Sequence, residues 1–503
     1  MRTLASPDRA APADLWRVPL RCRWSATQVL QALDAEPLPF ALVGSWAGGG
    51  AIVGADPLRV ATDTEDPFAI LDQLPQVQAA APGSRRADSA APGSRRADSA
   101  APGTDPADSA ARAGALPAGA VGGGWFGWLG YRLAARVEEI PLAADRPVAL
   151  PEFHLAYYDN VLRRDPQGRW WFEALATDAR HHALSERLDH LRRLLQRDPP
   201  SLPARPPLPT ALWLTAADAA RHLDAVSDCR RRIAAGEIFQ ANICLRLAGG
   251  FDGSPTALLS TALAQVTPPY AAAFSTPRGG IASLSPELFL QRRGRHIVTA
   301  PIKGTIARDR DPAIAAAALE RLSGSAKDAA EHVMIVDLMR NDLGRVCDYG
   351  SVAAPRRPTA EAHPGLWHLV SHVQGRLRPG VGDADVLRAT FPPGSVTGAP
   401  KVQSLRVIAA LEGTGREAYT GAIGFASPVA GLELSVAIRT LELGDGHVWL
   451  GAGGGIVAES DPRRELEEAL AKARPIAAAV GSAVRVQAPA RPAPGPPPAR
   501  SAA

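Results

Sequence analysis

Leu434-Ser-Val-Ala-Ile-Arg-Thr-Leu-Glu-Leu443 and, four residues on, Val448-Trp-Leu-Gly-Ala-Gly-Gly-Gly-Ile-Val457 are two β-runs, followed by a helical pattern ending near Pro475. Both runs are apolar and rich in β-branched, leucine or aromatic residues, as buried strands are. Upstream, from Asp218 onward, helical patterns alternate with further β-runs. Patterning alone therefore supports a mixed α and β body. Arg439 stands inside the first run. A charge on an apolar strand is hard to explain as solvated surface, because a buried cation needs a partner.

The N-terminal region reads differently. Short β-runs at Phe40 to Val43, Phe153 to Tyr158 and Trp170 to Glu173 are punctuated by Gly and Pro, as in antiparallel sheet. Inside this region the decapeptide APGSRRADSA occupies Ala81 to Ala90, repeats at Ala91 to Ala100 and recurs imperfectly to Ala110. It is too poor in apolar groups to offset the entropy of ordering, so a flexible insertion is expected over 77–117. A Pro-rich stretch, Arg197 to Pro209, reads as a linker before a helix beginning near Thr215. The expected division is an N-terminal region over 1–200, a catalytic domain over 210–478, and a disordered Pro/Ala tail over 479–503.

At 503 residues, 46% hydrophobic and 21% charged, the chain has the composition of an ordinary folded protein. The net charge of +4 comes from dispersed arginine without a lysine-rich block, which argues against a nucleic-acid partner. Cys22, Cys229, Cys244 and Cys347 show neither disulfide nor metal-site spacing, as expected of a cytoplasmic protein. No run approaches the ~20 apolar residues of a membrane helix, and Met1 to Trp16 lacks a secretory pattern, so no membrane association is expected.

Chemistry concentrates in five segments: Pro301-Ile-Lys-Gly-Thr305, Ala330-Glu-His-Val-Met-Ile-Val-Asp337, Gly394-Ser-Val-Thr-Gly-Ala-Pro-Lys401, Ala437-Ile-Arg-Thr440, and Gly451-Ala-Gly-Gly-Gly-Ile-Val457 with Ser460-Asp461. Lys303 follows an apolar β-run, His296 to Ile302; desolvation there would lower its pKa and free a nucleophilic amine. Taken alone, a solvated lysine at a strand end fits these residues as well. On a helix over Ala329 to Met339, Glu331 shares a face with Ile335 and Leu338 and would need a charge partner in packed protein. Glu465, Glu468 and Lys472 fall at i, i+3 and i+7 on one helical face. Such acids suit a hard cation, although a solvated salt-bridged helix shows the same spacing. Glycines Gly453, Gly454 and Gly455 would let backbone approach an anion, or simply form a turn.

Together, in this order and spacing, the segments resemble the chorismate-utilising enzymes over residues 215 to 477. More loosely, Leu42-Val-Gly-Ser45 and Gly54-Ala-Asp-Pro57 resemble the companion region of anthranilate and aminodeoxychorismate synthase large subunits. The resemblance implies an α+β fold in which two large antiparallel β-sheets pack together with helices outside. It makes Lys303 the residue that attacks C2 of chorismate in the aminodeoxychorismate synthases, where anthranilate synthases carry alanine. It makes Glu287, in Leu284-Ser-Pro-Glu-Leu-Phe289, the general acid, and places His368 of Trp367-His-Leu-Val-Ser371 near the ring. Glu331, Glu465 and Glu468 become the Mg²⁺-binding acids. Arg439 and Tyr419 with the amides of Gly453 to Gly455 would hold the enolpyruvyl carboxylate; Gly304, Thr305 and Lys472 would lie by the ring carboxylate, and Thr397 against the ring. Gln240 stands where isochorismate and salicylate synthases carry a water-activating lysine, which disfavours hydration.

Two departures from family habit are Leu288, where arginine is usual, and Ile306-Ala307, where Arg-Pro often follows Lys-Gly-Thr. The implied activity is amination of chorismate at C4, with ammonia from a separate glutamine amidotransferase subunit, toward 4-aminobenzoate and folate. An anthranilate synthase large subunit and a non-catalytic chorismate-binding protein are the alternatives.

Overall fold

The computed structural model describes residues 12–78, 116–141, 146–148, 150–200, 209, 211–309, 311–324, 326–355, 358–363 and 366–487. The decapeptide repeat, most of the Pro-rich linker and the tail from residue 488 lie outside the described residues.

Among these residues a 14-stranded sheet and an 8-stranded sheet face one another, and a separate 3-stranded sheet completes the set. Nearly all neighbouring strands run antiparallel, giving the expected α+β architecture. Both sheets interleave strands from the two sides of the linker. In the larger one Phe40–Gly44 pairs with Tyr270–Thr276, and in the smaller one Gly124–Leu129 pairs with Ala422–Ser427. Between the sheets, Phe40 of the larger meets Phe126 of the smaller at a ring separation of 4.5 Å, within a buried layer that includes Trp46, Phe274, Ile423 and Phe425. Apolar faces that alternate along each strand are thereby hidden against each other.

Close sheet contact sets a local demand at Gly127. Its φ is +154°, and a Cβ there would lie 1.7 Å from the carbonyl oxygen of His154 on the paired strand. Gly127→Ala should therefore destabilise the fold by about 3 kcal/mol or more, as overpacked cores do. A thermal melt within a degree or two of wild type would refute this.

The last helix, Pro462–Ala479, begins with Asp461 accepting hydrogen bonds from the amides of Arg463 and Arg464, and Pro462 occupies a first-turn site where its missing N–H costs nothing. Leu470, Ala473, Ile476 and Ala477 are buried in the core it shares with the larger sheet, leaving Glu468 and Lys472 partly exposed. The helix runs through Pro475 to Ala479, beyond the expected end. Val484–Val486 then pairs in parallel with Leu212–Leu214, so this part of 479–503 is sheet, because its β-branched valines complete an edge. The helix after the linker starts as read, capped by Thr215.

The run Leu434 to Leu443 is not one strand. Gly431–Val436 belongs to the 8-stranded sheet and Thr440–Gly444 to the 14-stranded sheet, with Ala437 to Arg439 crossing between them. Arg439 adopts φ +52° at this crossing. Beside it, Gly279–Ser285 of the larger sheet passes through Pro286 and Glu287 to Leu288–Arg293 of the smaller. The two crossings are stitched together: the Val436 amide donates to the Glu287 carbonyl and the Leu284 amide to the Arg439 carbonyl. A third switch at Pro301 leads from His296–Ala300 into the small sheet through Ile302–Ala307, which carries Lys303.

Candidate active site

Glu287, Arg439 and Lys303 thus stand where chain leaves one sheet for another, at the seam between layers. Glu287 is buried, and Ser395 donates a 2.5 Å hydrogen bond to its carboxyl oxygen. Burial pushes its pKa up to about 7, against the opposing pull of Ser395, the Lys303 charge, the Ile302 amide and Arg439. A carboxylic acid in this range can deliver a proton near neutrality. Lys303 is partly buried. Its ammonium is held below the ordinary lysine range by desolvation, with Lys472 pushing the same way and Glu331, Glu287 and Glu468 opposing. Arg439 is likewise lowered by burial and held up by Glu287. These charges share one electrostatic neighbourhood although they come from five separate segments.

The departure at Leu288 has a local explanation. Leu288 is buried with Ala300 and Val370 against Ile302, so an apolar cluster, in place of a second cation, abuts the Lys303 strand. Gly304 follows at φ +81°, where a Cβ would press on Leu322 and Leu369. Across the small sheet, buried His368 is the register partner of Thr305 on one side and Glu361 on the other.

The floor is strand His447–Ile456. Its glycines make room for side chains: a Cβ on Gly454 would lie 3.2 Å from Glu465 Oε2, 3.5 Å from Lys472 Nζ and 3.8 Å from Glu468 Oε1. One on Gly455 would lie 2.0 Å from Gln240 Nε2, and one on Gly453 2.7 Å from Cys244 Sγ. Lys472 donates to the Gly453 carbonyl at 3.0 Å and pairs with Glu468 at 2.8 Å. Ser460 holds the other Glu465 oxygen at 2.6 Å. Gln240 is fully buried, and neither side-chain heteroatom has a hydrogen-bond partner. Tyr419 is buried with its ring against Gly451 and its hydroxyl 3.6 Å from Cys244 Sγ. Thr397 is fully buried, but its hydroxyl donates to the Pro393 carbonyl at 2.9 Å, which makes it a brace of its own turn.

Glu465 and Glu468 converge above Gly454, while Glu331 reaches the site from the helix Ala326–Gly344 through its charge on Lys303. Among the described residues no three His, Cys, Asp or Glu side chains are grouped to hold a metal ion by themselves. One or two carboxylates with substrate oxygens and water suffice for Mg²⁺, so the hard-oxygen donor set fits that ion.

Ser395 and the pair Glu412 and Arg416 were not singled out from sequence. Ser395 lies inside a recognised segment, but a serine there carries no signal of its target. Glu412 and Arg416 stand at i, i+4, a spacing ordinary on a helix surface, yet both side chains are buried.

A buried acid, a desolvated lysine and arginine at the seam and carboxylates over a glycine floor form a charged site suited to acid–base chemistry on a small anion. The chain belongs to the family of chorismate binding enzymes, which matches residues 66–478. It is 36% identical over 351 residues, covering 70% of this chain and 75% of the other, to aminodeoxychorismate synthase component 1 of Klebsiella aerogenes. It is 38% identical over 371 residues, 71% and 73% of the two chains, to anthranilate synthase component 1 of Streptomyces coelicolor. The fold is similar to crystalline anthranilate synthase component I of Streptococcus pneumoniae, with a TM-score of 0.65 at 24% identity and 94% coverage of both chains. No helix among the described residues is long and apolar enough to cross a membrane.

Proposed function

We propose that this chain aminates chorismate at C4 to give 4-amino-4-deoxychorismate. The observation that carries the reading is a desolvated lysine sharing its neighbourhood with a buried carboxylic acid whose pKa is about 7. The Lys303 amine forms a bond to C2, the ring double bonds shift, and the C4–O bond breaks as Glu287 gives its proton to the departing hydroxyl, which leaves as water. Ammonia then adds at C4, the double bonds return, and Lys303 leaves C2. Arg439 and the glycine-floor amides hold the enolpyruvyl carboxylate, and Gln240, buried and uncharged, leaves water at C2 unactivated.

Glu468 and Glu465, with Glu331, would hold Mg²⁺, which when bound neutralises the ring carboxylate. Chelation by EDTA should lower turnover at least about tenfold, with recovery on adding Mg²⁺. Undiminished activity in EDTA would remove the metal from the reading.

Ammonia comes from a separate glutamine amidotransferase in the cytoplasm, and the product feeds 4-aminobenzoate and folate synthesis. Relatives named component 1 support such a partner, and the four cysteines are free. The second reading, anthranilate synthesis, is favoured by the 38% identical relative; Lys303, where that activity carries alanine, opposes it. Incubating the chain with chorismate, Mg²⁺ and ammonium and identifying the product decides between them. 4-Amino-4-deoxychorismate is expected, and anthranilate would sink the proposal.

A further inference from the structure

Arg416 is buried, and each nitrogen of its planar fork donates a hydrogen bond. Nε and Nη2 donate to the two oxygens of Glu412 at 2.9 and 2.6 Å, Nη1 to the Val396 carbonyl at 2.9 Å, and Nη2 also to the Asn242 carbonyl. The guanidinium lies 4.7 Å above the ring of Tyr131. Glu412 in turn accepts the Cys244 amide at 2.7 Å. Every acceptor except the carboxylate belongs to an element that carries the site. Val396 sits between Ser395, which holds Glu287, and Thr397. Asn242 and Cys244 lie on strand Gln240–Gly250, beside Gln240 and opposite the glycine floor.

We infer that Arg416, oriented by Glu412, is a positioning residue for Glu287. It locks the Gly394–Val396 turn against strand Gln240–Gly250 so that the Ser395 hydroxyl meets the acid. Downstream of the turn the chain is tied to the strand by the Asn242 amide to the Thr397 carbonyl at 2.8 Å and by the pairing of Gly398 and Ala399 with Ala241 and Gln240, whereas Arg416 reaches back to Val396, beside Ser395. A lysine offers a point charge with no fork, so it could keep the Glu412 pair but not both carbonyls. The inference rests on the amination reading, in which Glu287 is the proton donor.

Ser395 donation favours the carboxylate form of Glu287, as do Lys303 and Arg439, the charged groups that face it. Losing that hydroxyl should therefore move the alkaline fall of activity to higher pH. In the full-length chain, Arg416→Lys should lower kcat about tenfold or more, since small displacements of catalytic groups have such effects. KM for chorismate should change less than about threefold, because the binding groups are untouched.

Arg416→Lys and Ser395→Ala should each move the alkaline limb upward, and the double variant should move it no further than Ser395→Ala alone. An unchanged limb in Arg416→Lys, or additive losses in the double variant, would make Arg416 a stabilising residue only and overturn the inference. Should Arg416→Lys fail to fold, Glu412→Gln keeps the shape, loosens the fork and is judged by the same limb. The pH dependence of chorismate consumption is read whatever the product, so a different product would defeat the amination reading without deciding the role of Arg416.

Discussion

Lys303→Ala should abolish amination at C4, with turnover reduced by at least about a thousandfold, because the substitution removes the nucleophile and not merely a contact. Wild-type protein given chorismate without ammonia should carry a covalent adduct on this side chain, visible by mass spectrometry of the intact chain and its peptides. The variant should show none. Partial burial and the nearby Lys472 charge hold the Lys303 ammonium below the ordinary range, so a useful share of free amine exists at lower pH than an exposed lysine would allow. Only four lysines occur in the whole chain, at 303, 327, 401 and 472, so the labelled peptide is readily assigned. The variant also recreates the alanine of the anthranilate-type segment, but a gain of that activity is not required, since specificity depends on transition-state placement. Unchanged synthesis of 4-amino-4-deoxychorismate by Lys303→Ala would leave the lysine an electrostatic role and end the covalent scheme.

Glu287→Gln should slow turnover by roughly 10²–10⁴-fold, the usual contribution of a positioned general acid. An amide fills the same space and accepts the Ser395 hydrogen bond, yet has no proton to give. The pH dependence follows from the direction of the shift. Burial raises the pKa of Glu287 to about 7, so the acid stays protonated, and competent, below that value. Activity should fall as pH rises through about 7 and the carboxylate forms. In Glu287→Gln that alkaline fall should vanish along with most of the rate. A wild-type profile flat from pH 6 to 9, measured at saturating ammonia rather than at fixed total ammonium, would show that another group protonates the leaving hydroxyl.

The residues proposed to react were named from sequence because they lie in short segments whose order and spacing resemble a family. Their placement was not. Leu434 to Leu443 reads as one strand because hydrophobicity is continuous across it, and alternation of side chains says nothing about which sheet a residue joins. The crossing at Ala437 to Arg439 is decided by pairing with Thr420, Gly421 and Leu284, contacts distant in the chain. Lys303 looked like the end of an apolar run for a similar reason: the break at Pro301 sends it into a different sheet. Glu465, Glu468 and Lys472 were readable as one face of a helix, since that periodicity is local. That Gly454 leaves room beneath them could be learned only from the register of the floor strand.

The placement of acid, lysine and arginine at the seam makes catalysis a gauge of how the two layers are aligned. Glu287 and Arg439 ride on crossings between the two large sheets and Lys303 on a crossing from the smaller of them into the 3-stranded sheet, so a slip of one layer by a fraction of a side chain changes their separations while every strand remains intact. On the proposed chemistry, substitutions in the aromatic layer around Phe40 and Phe126 should therefore change the rate as adjustments of a mechanical reference surface, without touching substrate.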